Sequence, residues 1–317
     1  MNKNIPHINR EISWLSFNER VLQEAKDKSN PIIERLRFLG IFSNNLDEFF
    51  RVRVASVKRL IKYGKSLKQL LQDNPAEILE QINDIVLKHQ QQFEQVFEEI
   101  KQELAEQNVH FINEKELTQE QGEYVRRFFK ENVRQALVPL ILDKKRPFPE
   151  VKGKSIYLAI KLYNDLLDKE VMYALIEIPS KDVGRFVLLP SSDEKKYIIL
   201  LDDVIRYCLD DVFEIFDFKY FEAYTIKFTR DAELDIDNDD ISESVVERLE
   251  KSLKNRKKGE PVRFIYDAKM PYDLLNFIIT KNEISKEDTI IPGGRYHNFK
   301  DFMQFPDIGL PNSTFKP

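Results

Sequence analysis

The sequence predicts a multi-domain protein of mixed α and α+β class: an N-terminal helical bundle followed by an α+β domain with a mainly antiparallel sheet. The 317 residues are enough for two domains of ordinary size. Apolar residues recur at three- and four-residue spacing up to about residue 107, and short β-rich runs joined by polar turns follow. We therefore expect a helical domain at residues 1–107 and an α+β domain at residues 108–317.

Capping signals predict where the first helices begin. Ser16 and Glu19 have the spacing of a capping box. Asn30 and Pro31 mark a second start, because a proline at the first helical position loses no hydrogen bond. We expect this second helix to stop near Gly40 and a third helix to begin around residues 43–45.

Asn74 and Pro75 open the longest predicted helix, which extends to about residue 106. Its apolar residues keep the three-four spacing that is typical of helices packed in a bundle. His89 lies on this apolar face. We therefore expect His89 to be an interior histidine rather than a metal ligand or a catalytic residue.

The second half alternates helices with strands. Thr118 and Gln121 have capping-box spacing and predict a helix through about Ala136. Further helices are expected near residues 202–214, 242–256 and 271–282. Residues 109–112 look extended. The runs rich in β-branched and aromatic residues, which we expect to be strands, lie at residues 156–163, 171–178, 185–190, 197–201 and 220–228.

Composition excludes several classes of protein. Basic and acidic residues number 49 and 54, so the net charge of −5 gives no general attraction to DNA or anionic lipid. Cys208 is the single cysteine, which excludes an intrachain disulfide and a CxxC redox pair. We find neither a signal peptide nor an apolar run of membrane-spanning length. A cytoplasmic location is expected, with no transmembrane segment.

Familiar catalytic and metal-binding motifs are missing from the sequence. The P-loop, dinucleotide-binding, nucleophile-elbow and zinc-protease patterns do not occur. An acidic run at residues 235–240 partly matches the residue spacing of a calcium-binding loop. However, Asp240 stands where that loop needs glycine, and Val246 where it needs glutamate. We interpret this run as a solvated loop and predict no metal site.

Two segments stand out as candidate sites. In FLGIFSNNLDEFF, at residues 38–50, aromatic residues flank two adjacent asparagines. One asparagine suffices to cap a helix, so the other is free to offer an amide donor and acceptor to a purine edge. Simple capping with core packing is the alternative.

The second segment is PGGRYHNFKDF, at residues 292–302. Its two glycines precede a group of basic side chains, and their backbone could form a nest for an anion. The alternative is a turn into a short helix capped by Asn298.

These segments belong to a longer resemblance. The sequence resembles the N-terminal and head domains of the type 1 bacterial polyphosphate kinases, most specifically in EISWLSFNERVLQEAKDKSNPIIERLRFLGIFSNNLDEFFRVR at residues 11–53. Further matching motifs are RYCLDD (206–211), TRDAE (229–233), EPVRFIY (260–266) and IPGGRYHNFKDF (291–302). Together they cover nearly the whole chain in the family's order.

The resemblance implies a function. Enzymes of this family transfer the terminal phosphate of ATP reversibly to inorganic polyphosphate through a phosphohistidine. By resemblance the first domain contributes to the adenine site, and Asn45 matches the family's adenine-contacting asparagine. Phe38 and Phe42 as walls of that pocket are our own inference from their position. The head domain is expected to form a homodimer or a higher oligomer.

The resemblance also places the catalytic histidines, the Mg²⁺ ligands and the phosphate ligands in two further C-terminal domains. No catalytic residue is therefore expected in these 317 residues, and the chain alone should be inactive. Peripheral association with the inner membrane is an alternative to a purely cytoplasmic location.

Two alternative functions fit parts of the sequence. The isolated chain could be an interaction module that dimerises without useful nucleotide affinity. A nucleic-acid-binding role is disfavoured, because the basic stretch at residues 51–68 has the pattern of a solvated helix face.

Overall fold

The computed structural model describes residues 8–63, 74–143, 145–165, 171–231, 261–284 and 289–315. The acidic run at 235–240 and the helix predicted near 242–256 lie outside the described residues.

The first part of the chain is a helical bundle. Helix α1 spans Arg10–Lys26 and α2 spans Ile32–Glu48. A π-helical segment, Phe49–Val54, continues α2 directly into α3, Ala55–Tyr63. Helix α4, Pro75–Glu106, is the longest described helix, and α1, α2 and α3 all pack against it. The bundle predicted from the apolar spacing is confirmed.

The predicted start of the first helix is wrong. Helix α1 begins earlier, with Asn9 as its N-cap: the Asn9 side chain accepts a hydrogen bond from the backbone N–H of Glu11 at 2.9 Å. Ser16 lies inside the helix, where its hydroxyl donates to the carbonyl of Ile12 at 3.3 Å. Serine within a helix commonly makes this bond to the residue four positions earlier.

The predicted break at Gly40 is also wrong, because α2 continues to Glu48 without interruption. A Cβ atom on Gly40 would lie 2.8 Å from the backbone nitrogen of Met303. Glycine at this position permits close contact with a segment far along the chain. It costs about 1 kcal/mol of helix propensity, which does not end the helix.

Two other predicted caps are confirmed. Asn74 accepts from the N–H of Ala76 at 3.2 Å and is followed by Pro75 in the first turn. Thr118 and Gln121 form a reciprocal capping box, with bonds of 3.3 and 3.1 Å. The helix that follows continues as π and 3₁₀ turns to Ala136, as predicted.

The second part combines short helices with nine described strands. The helices are α5 (Gln119–Phe128), α6 (Ser180–Val183), α7 (Leu201–Tyr207), α8 (Leu209–Val212), α9 (Tyr272–Lys281) and a 3₁₀ helix (Phe299–Gln304). The strands are β1 (Val109–Phe111), β2 (Leu140–Leu142), β3 (Tyr157–Tyr163), β4 (Met172–Glu177), β5 (Phe186–Leu189), β6 (Lys196–Leu200), β7 (Tyr220–Arg230), β8 (Pro261–Asp267) and β9 (Thr289–Gly293).

These strands form two sheets. The larger has the order β2-β4-β3-β7-β8-β9 and the smaller β1-β6-β5. Among the described strands, only the pairs β1–β6 and β8–β9 are parallel, and the other five pairs are antiparallel. The sheets are therefore mixed but mainly antiparallel. Strands β2, β8 and β9 were not predicted.

The helical core includes residues from the far end of the chain. Phe299, Phe302 and Phe305 belong to the same buried cluster as Phe93 and Phe97 of α4. Phe299 lies edge-to-face on Phe93 at 4.7 Å between ring centroids. The 3₁₀ helix is thus part of the helical core, and the domain boundary at residue 107 stays a prediction.

Candidate functional site

The two candidate segments of the sequence meet in the structure. The backbone N–H of Phe299 donates to the hydroxyl of Ser43 at 3.2 Å. A narrow cleft lies between the segments and is closed from the other sides by α4, β7 and β8. It encloses about 30 Å³, which is room for a few water molecules at most.

An ion cluster lies at this junction. Both carboxylate oxygens of Asp47 in α2 accept hydrogen bonds, one from Lys227 of β7 and the other from Arg263 of β8. Burial would raise the pKa of Asp47, but the two cations outweigh it and the pKa lies below its ordinary value. Burial and the Arg263 cation lower the pKa of Lys227 to about 8, against the effect of Asp47. The cluster ties the helical bundle to the larger sheet.

Asn298 completes the junction. It adopts a left-handed conformation with φ of 58°, and its side-chain oxygen accepts from Lys227 at 2.9 Å. Its carbonyl accepts from Arg185 at 2.6 Å. The predicted turn into a short helix is confirmed, but the Asn298 side chain makes no capping bond to it. The glycine-rich segment is therefore a structural connection, and Gly293 lies in β9.

His297 of the same segment is buried and donates from Nε2 to the carbonyl of Thr225 at 3.1 Å. Burial is the main cause that lowers its pKa to about 3. A Cβ atom on Gly293 would lie 2.8 Å from the imidazole. This histidine is a packed, neutral side chain.

Asn45 lies on a different face of α2, towards α1. It sits inside the helix and caps no helix end, so the capping alternative is wrong for this residue. The side chain is half-buried, and its Nδ2 donates to Oδ1 of Asn18 at 3.1 Å. Asn18 in turn donates from Nδ2 to the carbonyl of Phe42 at 3.2 Å. No described residue donates to Oδ1 of Asn45.

Sequence reasoning missed Asn18. It is fully buried on the inner face of α1, between Leu15 and Leu22. The sequence signal that could have identified Asn18 is its polar side chain, which occupies a position where the helical spacing predicts an apolar residue.

The aromatic residues near Asn45 have different surroundings. Phe42 is buried, lines the cleft and stacks on Phe93 at 5.8 Å. Phe38 is half-buried against the helical core. His89 packs edge-on against Phe42 at 6.0 Å and is buried, so the expected interior position of this histidine is confirmed. Adenine contact by Phe38 or Phe42 stays a prediction.

Comparison with known proteins bears on this arrangement. The sequence family model of the polyphosphate kinase N-terminal domain matches residues 7–112. The family model of the polyphosphate kinase middle domain matches residues 120–305. The chain belongs to the polyphosphate kinase family. The resemblance drawn from the sequence motifs is thereby confirmed.

Polyphosphate kinases of Salmonella typhimurium and Escherichia coli are each 44% identical to the chain over 315 residues. The match covers 98% of this chain and 45% of each relative, so the chain corresponds to less than half of their length. The crystal structure of polyphosphate kinase from Porphyromonas gingivalis superposes with a TM-score of 0.78 at 32% identity. It covers 99% of this chain, which spans 43% of that protein.

Within the described residues, no three His, Cys, Asp or Glu side chains are grouped so that they could hold a metal ion. The same residues include no helix with the length and apolar character needed to cross a membrane.

Proposed function

We propose that this chain is the adenine-contacting portion of an enzyme that transfers the terminal phosphate of ATP reversibly to inorganic polyphosphate. In this proposal Asn45 contacts the adenine of ATP or ADP, and a phosphohistidine outside these residues carries the phosphate between the two substrates. The family membership supports the reaction, and the side-chain arrangement at Asn45 supports its role.

The observation that carries the proposal is the free acceptor of Asn45. Its amide is half-exposed, and one of its two N–H bonds is already used by Asn18. The carbonyl oxygen and the second N–H remain, which is the donor–acceptor pair that an adenine edge can match. Because the position is half-exposed, a ligand arriving from solvent can reach both groups.

Two of the described histidines, His89 and His297, are too buried for nucleophilic catalysis. His89 and His297 are 4% and 3% exposed, and a nucleophile must reach the terminal phosphate. The proposal therefore assigns no catalytic residue to this chain and expects it to be inactive by itself.

Self-association is a second function that one observation favours. Strand β2 is an edge of the larger sheet, and Val138, Leu140 and Ile141 at this edge are 68%, 37% and 42% exposed. Exposed apolar strand edges pair readily with another chain. A homodimer through residues 108–317 and a cytoplasmic location, with peripheral membrane association as the alternative, stay predictions.

Replacement of Asn45 tests the adenine role. In the full-length gene product, Asn45→Ala should raise the Michaelis constant for ATP by about tenfold to a hundredfold, since each of the two neutral hydrogen bonds to adenine contributes about 0.5–1.5 kcal/mol. Turnover should fall less, because adenine is remote from the reacting phosphate.

Asn44→Ala is the matched control, because Asn44 is also half-buried and makes no side-chain hydrogen bond to any described residue. An unchanged Michaelis constant in Asn45→Ala would contradict the adenine role. Titration of this chain alone with ATP separates the adenine role from a pure interaction module, which would show no saturable binding.

A further inference from the structure

We propose that Asn18 is a positioning residue that fixes the direction in which Asn45 presents its amide, and that this direction makes the site select adenine over a 6-oxopurine. The inference rests on the adenine role proposed for Asn45. It adds a second residue, on a different helix, and a reason for base selection.

The direction follows from one backbone group. The carbonyl of Phe42 can only accept a hydrogen bond, so Asn18 must turn its Nδ2 towards it, as observed at 3.2 Å. Oδ1 of Asn18 then faces Asn45 and can only accept. Asn45 must therefore donate from Nδ2, as observed at 3.1 Å, which leaves its Oδ1 free on the other side.

Burial makes this arrangement hard to reverse. Asn18 is fully buried, so water cannot replace either of its two hydrogen bonds. If the Asn18 amide turned over, its oxygen would face the Phe42 carbonyl, and the hydrogen bond to that carbonyl would be lost even if Asn45 turned over with it. The loss of this buried hydrogen bond disfavours the turned state by about tenfold or more.

Neighbouring aromatic rings hold the two helices in register. Trp14 is one turn before Asn18, and Phe49 is one turn after Asn45. Their rings stack at 4.5 Å between centroids with an interplanar angle of 8°. This contact fixes α1 against the end of α2, and therefore fixes the distance between the two asparagines.

The consequence for the base is chemical. Adenine carries an amino donor at C6 and an acceptor at N1, whereas hypoxanthine carries a carbonyl at C6 and a donor at N1. Oδ1 of Asn45 accepts from the amino group, and the second N–H of Asn45 donates to N1. Hypoxanthine reverses both groups, so each contact becomes acceptor against acceptor or donor against donor.

The experiment compares ATP with ITP, which differ only at this edge. Binding of each nucleotide to the full-length gene product is measured by calorimetry for the unsubstituted protein and for Asn18→Leu, Asn18→Asp and Asn45→Ala. The unsubstituted protein should bind ATP at least about tenfold more tightly than ITP. Asn18→Leu should reduce this ratio to below about threefold, because the freed Asn45 amide can turn over to suit either base.

Asn18→Asp is the matched control. Its carboxyl oxygen still accepts from Nδ2 of Asn45, so the preference for ATP should persist even if the protein is less stable. In the Asn45→Ala background, Asn18→Leu should not change the ratio of ATP to ITP affinity any further. A merely structural role of Asn18 would not predict this result.

Each outcome decides between the two proposals. A full preference for ATP in Asn18→Leu, combined with its loss in Asn45→Ala, would overturn the role of Asn18 and leave the adenine role standing. Unchanged ATP binding in Asn45→Ala would overturn both. If thermal melting shows that Asn18→Leu does not fold, Asn18→Ser removes the same bond to Asn45 with less bulk and takes its place.

Discussion

At the scale of single residues, His297 shows how burial controls a titratable group. Its imidazole lies among Lys227, Arg185 and Arg206, and its Nε2–H is held by the Thr225 carbonyl. Burial is the largest influence, the cations add to it, and the pKa falls to about 3. The folded protein therefore keeps this histidine neutral across the physiological range.

This neutral state predicts a pH dependence of stability. The unfolded chain takes up a proton on this histidine near its ordinary pKa of about 6.5, whereas the folded chain does so only near pH 3. The stabilising contribution is present above about pH 6.5 and is lost as the pH falls towards 3, by up to about 1.4 kcal/mol per pH unit. Between pH 7 and pH 5, the free energy of unfolding measured with urea should decrease less for His297→Gln than for the unsubstituted protein. Equal decreases in both proteins would contradict the assignment.

At the scale of elements, the ion cluster joins α2 to β7 and β8. One carboxylate, that of Asp47, compensates the buried cations of Lys227 and Arg263, and the Arg263 guanidinium also lies 4.3 Å from the centre of the Phe50 ring. The cluster holds two positive charges and one negative charge. Substitutions of its members should therefore differ in their effects on the free energy of unfolding.

Removal of the carboxylate should be the most damaging change. Asp47→Asn leaves two buried cations without compensation and should lower the free energy of unfolding by about 3–5 kcal/mol. Lys227→Met should cost clearly less, because Asp47 keeps Arg263 as its partner. Urea denaturation of both variants measures the difference. A greater loss in Lys227→Met would show that the amine, rather than the carboxylate, holds these elements together.

At the scale of the whole molecule, the chain closes on itself. Phe302 of the 3₁₀ helix is fully buried and lies edge-on to Phe97 of α4 at 5.5 Å and to Phe186 of β5 at 4.9 Å. It therefore contacts the helical bundle and the smaller sheet at once. We expect the two parts of the chain to depend on each other for stability.

Phe302→Ala tests this dependence. Loss of a fully buried phenylalanine should cost about 3–5 kcal/mol. The single tryptophan, Trp14, reports on the helical bundle at the opposite end of the chain, and its fluorescence transition in urea should shift to lower concentration. Gln304→Ala, at an exposed position of the same 3₁₀ helix, is the control and should leave the transition unchanged. If the urea transition shifts when followed by circular dichroism but not when followed by Trp14 fluorescence, the two parts of the chain unfold independently.

Local chemistry explains which elements were predictable. Asn74 with Pro75, and Thr118 with Gln121, satisfy backbone groups within a few residues, so their caps are readable from sequence. The interpretation failed at Gly40, whose reason for being glycine is a contact with Met303. The missed strands β8 and β9 pair with each other in parallel across a long separation, which leaves no hairpin signal.

The sequence by itself determined the family and the bundle followed by mainly antiparallel sheets, and it singled out Asn45 as a candidate, because motifs and apolar spacing are properties of neighbouring residues. Tertiary structure alone decided what these residues contact. Asn45 meets Asn18 from 27 positions away, and Asp47 meets Lys227 and Arg263 from 180 and 216 positions away. The physical reason is that the direction of a side-chain amide and the compensation of a buried charge depend on partners that only folding brings within hydrogen-bonding distance.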